Sequence, residues 1–469
     1  MTHPPAPIDG LRSAVVLGGS LAGMLAAQAL SEFANVTIVE RDDLPDTPQP
    51  RKGLPQARHV HLLWSGGAQA MEKLLPGTAL RLEAEGARHL AVPTDMVALS
   101  PQGWFRRWVE SHHHMVLSSR DLLDWTIRHQ VLKSERITLV EGAEALGLEA
   151  TPAGGVTGGR IQCRDGEERV LTADLVVDAT GRASRAAKWL TELGVSAAPT
   201  RKVASGLVYA SRTFRAPAGA REKFPVVNVQ ADPRAPGPGR AGVLMPIEGG
   251  RWLVTLSGTS GGEPTVGTDD FRDFALSLRD PVIGQLLAAA EPLTDVVLTR
   301  TTANVRYYYE KVGKWPEGFV ALGDSVAAFN PIYGHGMSVS AQSAVALSET
   351  VARHGLGNPG LAASIQKAIG RTVATAWDLA TGQDVFYPGA TDSGPTFREK
   401  LAARYVDRLM LTATGNGRVA RAVTNVTSLQ RGIPDLLRPS ILIAAARGPL
   451  QPQLTEPPLV PAEWNAAAE

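Results

Sequence analysis

Two glycine-bearing stretches, each associated with one carboxylate, carry the residue types that could hold a phosphorylated, electron-rich ligand. The first is Gly18-Gly19-Ser20-Leu21-Ala22-Gly23, a GxGxxG pattern in which Ser20 stands at the middle glycine. Gly18 permits a tight turn, a residue as small as Ser20 still lets a pyrophosphate approach the backbone, and Gly23 allows a helix to pack closely on its strand. Free N–H groups at the start of that helix would face the phosphates. Glu40 ends the next strand, where a carboxylate can accept hydrogen bonds from ribose hydroxyls; a strand-end Glu facing solvent is the alternative. A carboxylate there disfavours a 2′-phosphate, so the dinucleotide expected is FAD or NAD rather than NADP.

The second stretch separates those two. Phe319 to Leu322 reads as a strand that delivers Asp324 to ribityl hydroxyls, and Pro331-Ile332-Tyr333-Gly334-His335-Gly336-Met337 reads as a turn opening a helix. Amides at that helix start would stabilise the negative charge that a reduced flavin carries near N1 and its C2 carbonyl. Asp324 as a simple N-cap is the competing reading, and the block as a whole favours FAD. A third block, Asp174 to Arg185, sets Asp178 between a buried strand and a glycine-containing turn, as a cofactor residue or as an Asx-turn.

These residues need a scaffold, and the pattern supplies one. Ala14-Val15-Val16-Leu17, the small-residue stretch Leu21 to Leu30 and Val36-Thr37-Ile38-Val39 form a strand, helix, strand unit of the parallel-sheet type. A Pro-rich loop follows Glu40, then a helix expected from about His59. Another helix is expected near Arg120 to Leu132, and short strands to Asp178. From about Val203 to Leu298 the pattern is strand-rich, with VVNVQA, AGVLMPI and RWLVTLSG between Gly/Pro turns. A long helix runs from about Met337 to His354, and the last eighty or so residues read as helices ending in a Pro-rich tail.

Composition narrows the function classes. The chain has 469 residues, 44% hydrophobic and 20% charged, enough for a large core. A net charge of +1 with both signs interspersed leaves no broad field for a phosphate backbone, so no nucleic-acid partner is expected. The single cysteine, Cys163, fits a reducing compartment. No signal peptide and no apolar run of about 18 residues is present, so the expectation is a cytoplasmic protein with no membrane partner. His112-His113-His114 cannot converge on one ion from regular structure, and no metal site is expected.

The three blocks, in this order, resemble the single-component, group A FAD-dependent monooxygenases over most of the chain to about residue 385. Within that group the strings RKGLPQARHVHLLWSGG, DLVVDATGRASR, MPIEGGRW and GDSVAAFNPIYGHGMS look like the polyene epoxidases of polyether-antibiotic biosynthesis, such as the monensin and lasalocid enzymes. The resemblance implies an α/β fold, a Rossmann-type, glutathione-reductase-like FAD-binding domain with an inserted sheet-rich substrate domain and C-terminal helices. On that reading residues 1–75, 110–190 and 295–385 form the discontinuous FAD domain, 76–109 and 191–294 the substrate domain, and 386–469 a helical segment. It also implies that Gly18, Ser20, Leu21, Ala22, Gly23, Glu40 and Arg41 hold the ADP half of FAD. Asp324, Pro331, Gly334, Gly336 and Met337 would hold the flavin half. Arg58 and Arg120 sit where family arginines approach the pyrophosphate or ribityl chain. The family's short Asp-Gly pair is spread here over Asp178 to Gly181.

With no second GxGxxG element, NADPH or NADH is expected to dock only transiently, or a flavin reductase or other electron donor to serve instead. The chemistry expected is epoxidation by O₂ through a flavin C4a-hydroperoxide, which demands no catalytic side chain. The substrate expected is a hydrophobic small molecule or linear polyketide, free or presented by a carrier protein. Competing readings are a phenolic hydroxylase and a non-redox cyclase on the same scaffold. A halogenase is disfavoured by the lack of a Trp-x-Trp-x-Ile-Pro string.

Overall fold

The computed structural model describes residues 11–109, 113–265, 267–300 and 302–469. Its centre is a five-stranded parallel sheet built from β1 (Arg12–Leu17), β2 (Ala34–Glu40), β3 (Ile137–Glu141), β4 (Leu175–Asp178) and β5 (Phe319–Ala321), in the order β5-β4-β1-β2-β3. Both faces are covered, which is why Ala14 to Leu17 and Leu175 to Asp178 are continuous buried runs rather than alternating ones. Helix α1 (Leu21–Leu30) is small and apolar almost all round, and eight of its ten residues are buried between the sheet and its neighbours. Helices α2 (Arg120–Val131), α3 (Gly336–His354) and α4 (Leu361–Asp384) complete the layers.

A second, largely antiparallel sheet of eight strands lies beside this one. It runs from Glu291–Pro292 through Val208–Arg215, Arg251–Gly258, Arg240–Ile247, Val226–Val229 and Met96–Ser100 to Gly103–Trp104, with Val297–Thr299 also paired to Val208–Arg215. Strand alternation splits its residues between two faces. Trp252, Val254 and Leu256 face an outer core under the helices Thr268–Leu276, Val282–Leu286 and Pro461–Ala468. Leu253, with Val226 and Met245, belongs to an inner cluster that also takes Leu62.

Three features differ from the sequence expectations. The helix expected from His59 starts at Ser65, because His59 to Trp64 runs extended, with a bond from the Val60 N–H to the Thr255 hydroxyl on the second sheet and a bridge from Leu63 to Val116 on a separate two-stranded ribbon of Arg88–Val92 and His113–Leu117. Two helices, Thr268–Leu276 and Val282–Leu286, interrupt the strand-rich region, capping an apolar sheet face that would otherwise meet water. The Pro-rich tail ends in the helix Pro461–Ala468, whose Glu463 pairs with Arg107 at 2.6 Å. Three further helices, α5 (Phe397–Gly415), α6 (Gly417–Thr427) and α7 (Pro439–Arg447), share their own small core.

Candidate functional site

The strand order reverses direction between β1 and β4, and parallel sheets open a crevice at the carboxyl ends of the strands at such a point. The turns after both strands are pressed together there. Gly18 adopts φ +101°, and a Cβ on it would lie 2.5 Å from the Ala179 carbonyl oxygen. A Cβ on Gly23 would lie 1.7 Å from the Gly18 carbonyl oxygen, so helix and turn meet only because both residues are glycine. Ser20 is the N-cap of α1 but makes no side-chain cap bond, and no acidic residue occupies the first turn. Its amides are therefore available to an anion.

Glu40 is buried beside this turn. Its carboxylate accepts from the Gly19 N–H at 2.8 Å and the Asp42 N–H at 2.9 Å, and pairs with Arg51 at 2.9 Å. Arg51 also reaches Asp124 at 3.1 Å and donates to the Gly19 carbonyl at 3.2 Å. Burial opposes the Arg51 charge, but Asp124 and Glu40 outweigh it and hold the guanidinium above its ordinary range. The Glu40 carboxylate thus faces the turn, not bulk solvent.

Arg120, the first residue of α2, links the two distant blocks. It pairs with Asp124 at 3.7 Å, donates to the Ser20 hydroxyl at 3.3 Å and sets its guanidinium against the Met337 sulfur. Burial lowers its pKa, while Asp124 pulls the other way. Asp324 lies at the opening of α3, with one oxygen 3.8 Å from where a Cβ of Gly336 would stand. A third of its side chain is accessible, burial pushes its carboxyl upward, and Arg182, at 3.6 Å, and Arg120 pull it down. Ala22 and Gly323 approach so closely that a Cβ on Gly323 would be 2.9 Å from the Ala22 methyl.

Pro331 starts a single 3-10 turn that Gly334 ends at φ +65°. His335, the N-cap of α3, donates from Nε2 to the Thr427 carbonyl at 3.0 Å, which leaves Nδ1 a buried acceptor without a partner among the described residues. Like α1, α3 has no side-chain cap and no acid in its first turn. An orphaned buried acceptor, open amides and a half-buried carboxylate at one helix start fit the flavin end of FAD, as the glycine turn and Glu40 fit its ADP end.

Other sequence candidates stand apart. Asp178 is fully buried, accepting on its own loop from the Thr180 N–H at 3.0 Å, the Thr180 hydroxyl at 2.6 Å and the Ser184 hydroxyl, and across the crevice edge from the Ser325 hydroxyl beside Asp324. The bonds within the loop have the Asx-turn geometry. Arg41 and Arg58 are exposed; Arg58 acts on Asp121 through space. Among the three histidines, His112 lies outside the described residues. His113 is buried between Ser65 and Asn425, each at 2.8 Å, whereas exposed His114 packs at a tilt against His89, as successive strand residues diverge. Leu21 simply begins α1.

Sequence reasoning missed Arg51, Asp124 and Arg182. Only Asp124 carried a local signal, its i,i+4 spacing from Arg120. It also missed a polar seam on the second sheet. His59 is held at both ring nitrogens, by the Ser211 and Thr299 hydroxyls at 2.7 Å each, and burial lowers its pKa to about 4. The segment His59 to Trp64 spans from this seam to the flavin-side turn, where the Trp64 indole N–H donates to the Tyr333 carbonyl at 3.2 Å. Behind that turn, buried Asp384 accepts from Tyr333, Asn304 and Asn330 at 2.7 Å each, and Asn330 accepts from Tyr209 at 3.0 Å.

No protein-family profile matches the chain. It is 32% identical over 389 residues to Protein Rv3254 of Mycobacterium tuberculosis, covering 81% of each chain. It is 27% identical over 363 residues to a kynurenine 3-monooxygenase of Salinispora arenicola, covering 72% of each. Among solved structures, the flavin-dependent brominase Bmp2 superposes with a TM-score of 0.66 at 13% identity, over 93% of this chain and 99% of the brominase. That likeness is one of fold.

Proposed function

The chain belongs to the same family as Protein Rv3254 and has the fold of the FAD-dependent monooxygenases and halogenases; from that premise we propose that it is an FAD-dependent monooxygenase acting on alkenes of a hydrophobic, linear polyketide. Arg120 is the observation that carries the cofactor assignment. It joins the glycine turn at Ser20 to the start of α3 at Met337, so one buried cation ties the turn proposed for the pyrophosphate to the helix start proposed for the flavin. Glu40 would receive the adenosine ribose, the α1 amides and Arg120 the pyrophosphate, Asp324 the ribityl hydroxyls and the α3 amides the ring edge. Bound FAD supplies two-electron reduction and O₂ activation, with NADPH, NADH or a separate reductase as electron source.

The substrate class rests on the inner cluster of the second sheet, which the Trp64–Tyr333 bond ties to the turn before α3. Val60, Trp64, Met96 and Val243 lie there beside buried Leu62, Met245 and Leu253, and the seam's polar groups, His59, Ser211 and Thr255, are bonded to one another. Such a cluster offers no buried charge to a charged ligand and favours an apolar one. It excludes water from the ring face and orients an alkene, and epoxidation asks for no protein base. Presentation of the substrate on a carrier protein belongs to the same proposal. The similarity to a kynurenine 3-monooxygenase favours one second reading, hydroxylation of an aromatic ring, in which neutral His59 would be the nearest titratable group of the seam.

The test is purification with a flavin spectrum, then NADPH consumption and product mass with a linear polyene and with phenols. A yellow protein that adds oxygen atoms to the polyene alone is expected. Oxygen on the phenol alone would select hydroxylation, a mass-neutral product without NADPH consumption would select a cyclase, and failure to retain FAD would remove the assignment altogether.

A further inference from the structure

The net charge of +1 is an average that conceals a segregated segment. Between Phe397 and Arg447, across α5, α6 and α7, stand nine basic and three acidic residues. The three acids are already engaged: Glu399 with Arg201, Asp407 with Arg234 and Asp435 with Arg438. Arg398, Lys400, Arg404, Arg418, Arg431 and Arg447 are exposed, and no ion pair holds them among the described residues. The same stretch concentrates exposed apolar side chains. Of the twelve large hydrophobics that stand exposed among the described residues, six fall between Phe397 and Leu450, and Phe397 at 80% and Leu450 at 74% are almost free of neighbours.

These tips sit on two neighbouring segments. Tyr405 donates to the Leu436 carbonyl at 2.6 Å, Arg408 to the Ala445 carbonyl at 2.7 Å and the Leu450 N–H to the Gly415 carbonyl at 3.0 Å. The chain from Leu436 to Leu450 therefore runs alongside α5 in the same direction. Phe397 and Leu401 stand one turn apart at its start, Leu437, Leu442 and Ile443 follow, and Leu450 closes the row, over a length of about 27 Å at helical rise.

We propose that these segments dock the protein onto an anionic lipid surface, with α5 and α7 lying in the interfacial plane. Charge decides among the occupants. A second copy meeting this face across a two-fold axis would oppose cation to cation. A protein partner is usually gripped by aromatic anchors in pockets, whereas five of the six tips here are aliphatic and project outward. A bilayer needs no shape match, takes Leu and Ile tips at the acyl boundary and seats Arg and Lys among anionic headgroups. No helix among the described residues is long and apolar enough to cross a membrane, so the contact lies on the surface. The segments are also joined to the crevice. The end of α6 receives His335 at the Thr427 carbonyl and Gln342 at the Leu429 carbonyl, at 3.0 and 2.7 Å, so a lipid-dissolved substrate would be met close to the ring-facing turn.

The experiment is co-sedimentation of the full chain with phosphatidylcholine vesicles and with vesicles carrying about 30 mol% phosphatidylglycerol, at low and high salt. At least tenfold stronger binding to the anionic vesicles is expected, lost at high salt. Both Arg398→Glu with Lys400→Glu and Leu442→Ser with Ile443→Ser should abolish it while leaving the melting temperature and flavin content unchanged. No binding to anionic vesicles overturns the proposal, as does binding that survives both double variants. Capture of an acidic carrier protein through the same residues without vesicle binding overturns it too, as does a wild-type dimer that the Leu442→Ser, Ile443→Ser variant converts to monomer.

Discussion

At the scale of single residues, the crevice depends on charges that have no solvent to fall back on. Arg51 is bonded to Glu40 and Asp124, whose side chains are 7% and 6% exposed. Removing one partner of such a cluster leaves the others buried and unpaired, so Arg51→Ala should cost roughly 3–5 kcal/mol, read as a lowered denaturation midpoint. A loss within 0.5 kcal/mol would mean that water already reaches the cluster. His59 and His335 set a pH dependence. Burial holds both at about 4, below the ordinary 6.5, so in acid the unfolded chain takes up their protons first. Their contribution is intact above about pH 6.5 and is lost as pH falls toward 4, by at most about 3 kcal/mol each. Buried Asp178 and Asp384, pushed upward, act in the opposite sense. The difference between wild type and His59→Gln isolates the histidine: the variant's stability should fall less steeply between pH 6.5 and 4, and parallel curves would refute the buried neutral imidazole.

At the scale of elements, the start of α3 and one buried carboxylate behind it shape the end proposed for the ring. Asp384, last residue of α4, ties three donors from two other elements: Asn304 on a short strand, and Asn330 and Tyr333 on the turn before α3. Neither glycine freedom nor helix capping alone would fix that turn. Asp384→Ala strands all three donors, and a cost of about 3–5 kcal/mol follows from their unmet hydrogen bonds. Thermal melting should show it, and flavin release should accompany it; a variant that melts lower yet holds FAD unchanged would uncouple the network from the turn.

At the scale of the whole molecule, binding and stability are linked. A dinucleotide held between β1, β2, α2 and α3 bridges elements from four separate parts of the chain, so FAD should raise the melting temperature. At a hundredfold excess over its dissociation constant the gain is about 2.7 kcal/mol. Asp324→Ala should reduce that gain at equal FAD concentration with little change to the flavin-free melt, because a third of Asp324 already faces solvent. An undiminished FAD-dependent shift in the variant would rule out the ribityl role.

The first strand, the glycine turn, α1, Glu40 and the long helix after Gly336 were legible in the sequence because local rules produce them. Buried parallel strands are continuous apolar runs, and a backbone that must approach a helix or a phosphate requires small residues. Arg51 in its Pro-rich loop, Arg182 and the Asp384 network carried no such mark, since their partners lie far away in the chain. Asp178 reads two ways in the sequence, and the fold adds that its oxygens bond Thr180 and Ser184, partners the local string alone does not orient. The extended path of His59 to Trp64 was likewise decided by its neighbours, the second sheet at Thr255 and the two-stranded ribbon at Val116, which supply hydrogen bonds that a local helix would have made. Sequence thus determined the glycine-turn half of the candidate site, through backbone constraints that act over a few residues. Only the tertiary structure decided which buried charges neutralise one another and which face each loop presents, because those choices depend on desolvation by neighbours that the linear chain does not reveal.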